Sequence, residues 1–205
     1  MAKQEIVISI PKPKFETFDI RIGGTSSLIC HNWSQKAKIE MLMKQQGKKV
    51  QKSPKDPDAD FAASLYMFDA NDNEFHGPVD DAAWFGFPAV AFKNAAVRAA
   101  QQFDIPMTTA RQLFWVYGTK HSDYITIDGL PKMREDVVRL NGKTADLRYR
   151  GEFAPWSTTL RVKINAQVIA AETIFNLIAQ AGFSVGVGEW RPEKNGQFGC
   201  FEVVS

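Results

Sequence analysis

Two alternating stretches near the C-terminal end restrict this chain's fold more than any other feature. Residues 145–153 set Leu147, Tyr149 and Phe153 on one face against Arg148, Arg150 and Glu152 on the other. Residues 158–164 repeat the pattern, with Leu160, Val162 and Ile164 opposed to Arg161 and Lys163. A period of two is the pattern of half-buried strands. The connection Ala154-Pro155-Trp156-Ser157 is short enough for a hairpin. Helical spacing takes over from about Gln167 to Ala181, with Val168, Ala171, Phe175 and Ile178 as its apolar stripe, and a last strand runs through Phe201 and Val203. A sheet with one apolar face needs a cover, so the helix is expected to lie on it, giving an α+β chain with an antiparallel sheet.

The remainder reads more unevenly. Ile6, Ile8 and Ile10 form one alternating set, Phe18, Ile20 and Ile22 another, split by Pro11-Lys12-Pro13 and closed by a Gly23-Gly24 turn. Ser34 is placed to cap a helix reaching about Gln46, with Ala37, Met41 and Leu42 on one face. Residues 47–60, GKKVQKSPKDPDAD, hold two prolines and almost nothing apolar, which predicts a loop. Leu65 to Phe87 is aromatic, acidic and broken by Asn71, Gly77 and Pro78, so short strands and loops are expected. Pro88 fits the start of a helix to about Phe103 that turns Val90, Ala91, Val97 and Ala100 inward. Gln112 to Tyr117 and Ile125 to Ile127 read as strands. The expected organisation is one domain over 1–205, with an irregular insertion at about 47–87.

At 205 residues, 44% hydrophobic and 23% charged, the chain can bury a core and lacks the composition of disorder. Cys30 and Cys200 stand far apart, which argues against a disulfide framework or a structural zinc site. No run approaches the roughly 20 apolar residues of a membrane span. The N-terminus lacks the features of a signal peptide, and a cytoplasmic protein with no membrane partner is expected. A net charge of +2 conceals segregation. Eight acidic residues and no Lys or Arg lie between Asp56 and Asp81, whereas Lys132 to Lys163 holds eight basic and four acidic residues.

If 145–153 paired with 158–164, then Arg148, Arg150, Arg161 and Lys163 would crowd one sheet face, and their repulsion would be relieved by an anionic ligand. An open antiparallel sheet suits single strands, and Trp156 at the hairpin tip would stack on a base. The other reading of this face is a solvated one, with Trp156 packed on a neighbour. Downstream, AGFSVGVGEWRPEKNGQFGCFEV holds Gly182, Gly186, Gly188, Gly196 and Gly199 with Arg191 and Lys194 among them. Such a loop either offers N–H groups and cations to phosphate or simply returns the chain to the sheet. It lacks the P-loop pattern and the third glycine of a dinucleotide fingerprint. Lys36 and Lys38 extend the set of candidate phosphate contacts.

The helix, the glycine-rich loop ending in an aromatic strand, and the basic hairpin before them resemble the C-terminal half of the RAMP superfamily, ferredoxin-like proteins of CRISPR effector complexes that bind guide RNA. VGVGEWRPEKNGQFGCFEV also resembles the ending of a family of uncharacterised phage and prophage proteins. The likeness covers about residues 132–205 and implies a ferredoxin-like (RRM/RAMP-like) fold. Three functions follow as expectations. The leading one is a non-catalytic protein binding single-stranded RNA or DNA and assembling as an oligomer along it. The second is a phage structural or interaction subunit in which an acidic middle meets a basic hairpin head to tail. The third is a RAMP-like endoribonuclease with His31, near Lys36 and Lys38, as general acid or base; His76 and His121 are weaker candidates. The aspartates between Asp56 and Asp81 match no paired-carboxylate or EF-hand spacing, GxSxG is absent, and no cofactor or metal is expected.

Overall fold

A computed structural model describes residues 11–48, 54–119, 123–140 and 144–204. The expected strand around Ile6–Ile10 and His121 lie outside the described residues. Strands β1 (Phe15–Gly24), β5 (Phe114–Tyr117), β9 (Ser157–Asn165) and β10 (Phe201–Val203) form a sheet in the order β10-β1-β9-β5, every neighbour antiparallel. Helix α3 (Ala89–Ala99) lies in the connection from β1 to β5, and α5 (Ala171–Ser184) in that from β9 to β10. Numbered among themselves, the four strands stand in the order 4-1-3-2 with two helical crossovers, which is the ferredoxin-like α+β arrangement.

Both helices cover the same sheet face. Ile20 and Ile22 of β1, Leu160, Val162 and Ile164 of β9 and Phe114 of β5 point into a core closed by Phe92 of α3 and by Ile174 and Ile178 of α5. Ala95, Ala96 and Ala99 give α3 a narrow buried face, which lets it approach α5 closely. Phe18 and Phe175 stack at 5.4 Å where β1 meets α5. The stripes differ in detail from those expected. Val90 and Val168 are exposed, the latter because α5 begins at Ala171, after the turn through Asn165. A short helix, α4 (Met107–Leu113), follows Pro106, so the strand expected from Gln112 starts at Phe114.

Two smaller sheets are carried on the connections. Strand β2 (Leu28–Ile29), β8 (Thr144–Phe153) and β7 (Pro131–Leu140) form one; β3 (Tyr66–Phe68), β4 (Trp84–Pro88) and β6 (Tyr124–Thr126) form the other. The chain from β2 to β3 forms α1 (Gln35–Gln45), whose Ser34 hydroxyl accepts from the Ala37 N–H as expected, and α2 (Pro57–Ser64), capped by Asp56. The region 47–87 thus carries α2, β3 and β4 among its loops.

The expected hairpin is corrected. β8 pairs with β7 and β2, whereas β9 pairs with β1 and β5, so the two strands belong to different sheets. The physical cause is the four-residue connection. Trp156 is buried, not exposed at a tip, and its Nε1 donates to the Ser26 carbonyl at 2.8 Å while its ring meets Phe201 edge-on. That anchor turns the chain out of one sheet and into the other.

The glycine-rich loop returns the chain to the sheet. Val187 N–H donates to Gly199 O at 2.9 Å, Gly199 N–H to Ser27 O at 2.7 Å and Glu189 N–H to Ile29 O at 3.0 Å. Gly186, Gly188 and Gly199 all hold positive φ, and a Cβ on Gly199 would collide with the Val187 carbonyl. Those backbone groups are spent within the chain rather than offered to a phosphate.

Candidate nucleic-acid interface

The sheet face opposite the helices is open among the described residues. Strand alternation puts Phe15, Thr17, Asp19 and Arg21 of β1 there, with Thr159, Arg161 and Lys163 of β9 and Trp115 and Tyr117 of β5. Phe15 is 59% exposed, Trp115 56% and Tyr117 38%. Register assembles two rows across three strands: Thr17, Lys163 and Trp115 in one, Asp19, Arg161 and Tyr117 in the next. Trp115 and Tyr117 therefore stand about 7 Å apart along β5 on the same face.

Cations accompany the rings. The Lys163 ammonium lies 4.6 Å from the Phe15 ring centroid, and the Lys93 ammonium, reaching from α3, lies 4.1 Å from that of Trp115. Burial lowers the proton affinity of Lys93 from its ordinary value. Arg161 is held by Asp19 at 3.1 Å, and Arg21 bonds Asp128 at 2.8 Å and the Ser157 hydroxyl at 2.7 Å. Of the four nearby cations among the described residues, two thus carry an acidic partner already, so the face these residues form is more aromatic than electropositive. Beside it, at the edge of β5, Trp115, Tyr117, Tyr124, Lys93 and Arg161 border a cleft of about 1030 Å³.

The residues singled out from sequence do not converge. Arg161 and Lys163 alone meet, on this face. Arg148 contacts Asp146 at 3.7 Å on β8. Arg150 is only 3% exposed and pairs with Asp136 at 3.5 Å and Glu189 at 3.7 Å. It is buried because both faces of β8 are covered here. Leu65 and Ser64, at the end of α2, sit against Gly151, while the Trp190 ring of the C-terminal loop lies 5.5 Å from the guanidinium. Arg191 binds Glu193 and the Gly188 carbonyl, Lys194 is exposed on the turn Pro192–Lys194, and Lys36 and Lys38 are exposed on α1.

His31 stands at the end of an ion-pair ladder. Its Nδ1 lies 3.5 Å from Glu189, which reaches Arg150, then Asp136, then Arg134 at 2.9 Å, then Glu152 at 3.2 Å. The hydrogen bond with His31 holds the Glu189 carboxyl below its ordinary range, against the opposing effect of burial, and the charges of His31 and Arg150 add to it. Beyond His31 a cleft of about 470 Å³ opens between α3 and the C-terminal loop. Its cations are largely engaged there too, with Arg98 and Arg191 both on Glu193 at 2.5 and 2.8 Å. Among the described residues no group of three or more His, Cys, Asp or Glu is arranged to hold a metal ion, and no helix is long and apolar enough to cross a membrane.

The aromatic platform escaped the sequence reading, although FWVY at 114–117 carries the signal. Period-two alternation there buries Phe114 and Val116, so Trp115 and Tyr117 must face the other way.

No protein-family profile matches the chain, and no curated protein does. One chain of a solved "CRISPR RNA-guided surveillance complex" is similar in structure at a TM-score of 0.37 and 8% identity, covering 91% of this chain and 66% of its own length. A likeness that remote leaves the reading of the site to the geometry above.

Proposed function

We propose that this chain is a non-catalytic binding protein for single-stranded nucleic acid, and that the open face of the ferredoxin-like sheet receives the strand. The observation that carries the reading is the exposed pair Trp115 and Tyr117 in register with Lys163 and Arg161. Large aromatic rings on a sheet face cost solvation unless something flat covers them, and nucleobases stack on such rings at about 1–3 kcal/mol each. A single strand laid across β1, β9 and β5 would rest its bases on Phe15, Trp115 and Tyr117 and its phosphates on Lys163 and Arg161.

Fluorescence anisotropy with labelled single-stranded RNA and DNA oligonucleotides tests it. Trp115→Ala with Tyr117→Ala should abolish measurable binding, whereas Arg148→Glu, away from this face, should leave affinity unchanged. Unaltered binding by the folded double variant would remove the platform from the proposal.

A further inference from the structure

Helix α1 buries none of its residues. At 100° per residue, Ile39, Leu42 and Met43 form one exposed apolar stripe, with Lys36 and Lys38 on its two margins. Trp33, just ahead of the capping Ser34, is exposed as well. An isolated helix of this length is marginal in water, so one that presents its apolar stripe to solvent lacks its usual source of stability.

At the foot of α1 begins a groove of about 550 Å³. Ala59, Ala62 and Ala63 of α2 contribute small side chains to it, which permit close approach of a helix, and Asp56, Asp58 and Asp60 stand along it. The stripe of the same chain does not enter this groove: α1 contributes only its first residues, Gln35 and Lys36, to the lining. One molecule thus presents a lysine-flanked apolar helix beside a groove whose lining carries three aspartates against Lys36 and His76.

We propose that the partner of α1 is a second copy of this chain, each α1 lying in the acidic groove of the other. Because helix and groove adjoin, a two-fold axis brings both contacts together in one self-complementary interface. Lys36 and Lys38 then meet Asp58 and Asp60 across it, so the pairing depends on opposite charge as well as on apolar area. Nothing in this interface uses the sheet platform, and the inference stands independently of the nucleic-acid reading.

Light scattering coupled to size exclusion, on nuclease-treated protein over a range of concentrations, tests it through a charge exchange. The wild type should run as a dimer. Lys36→Glu with Lys38→Glu, and separately Asp58→Lys with Asp60→Lys, should each run as monomers with unchanged circular dichroism. Asp56 is spared because it caps α2. Mixed in equal amounts, the two variants should restore a dimer, since each reversed surface then meets its complement. The tryptophan emission should then shift to the blue, a shift that Trp33→Phe in both variants removes. Trp115→Ala should leave the dimer intact. A wild type that stays monomeric, or a mixture that fails to recombine, overturns the inference. So does a monomeric protein whose binding to an oligonucleotide or an anionic vesicle is lost on reversing Lys36 and Lys38.

Discussion

Arg150 and Arg161 are both arginines on β-strands, yet their surroundings assign them opposite roles. Arg150 is enclosed between Asp136, Glu189 and the Trp190 ring, and its Nε finds no hydrogen-bond partner among the described residues. Removing one member of a buried pair strands the others, so Arg150→Ala should cost about 3–5 kcal/mol of stability. Arg161 is exposed, and its ion-pair partner among the described residues is an exposed Asp19. Its replacement by alanine should shift stability by less than about 1 kcal/mol and register instead in ligand affinity. Urea denaturation of the two variants separates these outcomes. On the platform itself, Trp115→Ala should weaken oligonucleotide binding by roughly 5- to 150-fold, the equivalent of about 1–3 kcal/mol of stacking, as read by anisotropy. Sequence pattern alone treated Arg148, Arg150, Arg161 and Lys163 alike, because alternation reports which side chains share a face of one strand. It does not report whether a loop 40 residues later covers that face, and Glu189 and Trp190 do.

Elements were more legible than their partners. The cap at Ser34, the helix opening after Pro88, the helix before the glycine-rich loop and the last strand are written in local spacing, and the structure forms them. Strand pairing is a non-local choice. A short link between two alternating stretches resembles a hairpin until something pins it elsewhere, and here a buried Trp156 does so. At this scale the pairing of β1 with β9 also bears on the proposed binding. Asp19 neutralises Arg161 directly across that pair. Asp19→Asn should therefore raise affinity several-fold and steepen its dependence on salt by about one phosphate contact, measured as the slope of log K against log salt. Gly182 fixes a second element contact: a Cβ there would collide with the carbonyl of Phe201, forcing α5 away from β10. Gly182→Ala should lower the unfolding midpoint markedly, although alanine is the better helix former.

Over the whole molecule, the charge ladder from His31 to Glu152 ties the ribbon of β7 and β8 to the C-terminal loop. Glu189, depressed below its ordinary value of 4.5 when folded, binds a proton less readily in the folded than in the unfolded chain. The stability this confers is complete above about pH 4.5 and lost as pH falls below that value. Thermal unfolding followed between about pH 6 and 3 should show that decline, and Glu189→Gln should be less stable at neutral pH with a flatter profile through the same window. The α+β class was within reach of the sequence because alternating and helical spacing are local. The ferredoxin-like unit entered only through the resemblance, and the partners of β9 in its sheet are β1 and β5, not 145–153. The aromatic site was not within reach, since it exists only once β1, β9 and β5 lie side by side. That arrangement also dictates when the fold can form during synthesis. Among the described residues β1 pairs with β9 and β10, and Arg21 must find Ser157, 136 residues further along. A growing chain would leave the ribosome with this strand waiting until β9 and β10 had been made, and with both of its edges available to any other chain until then.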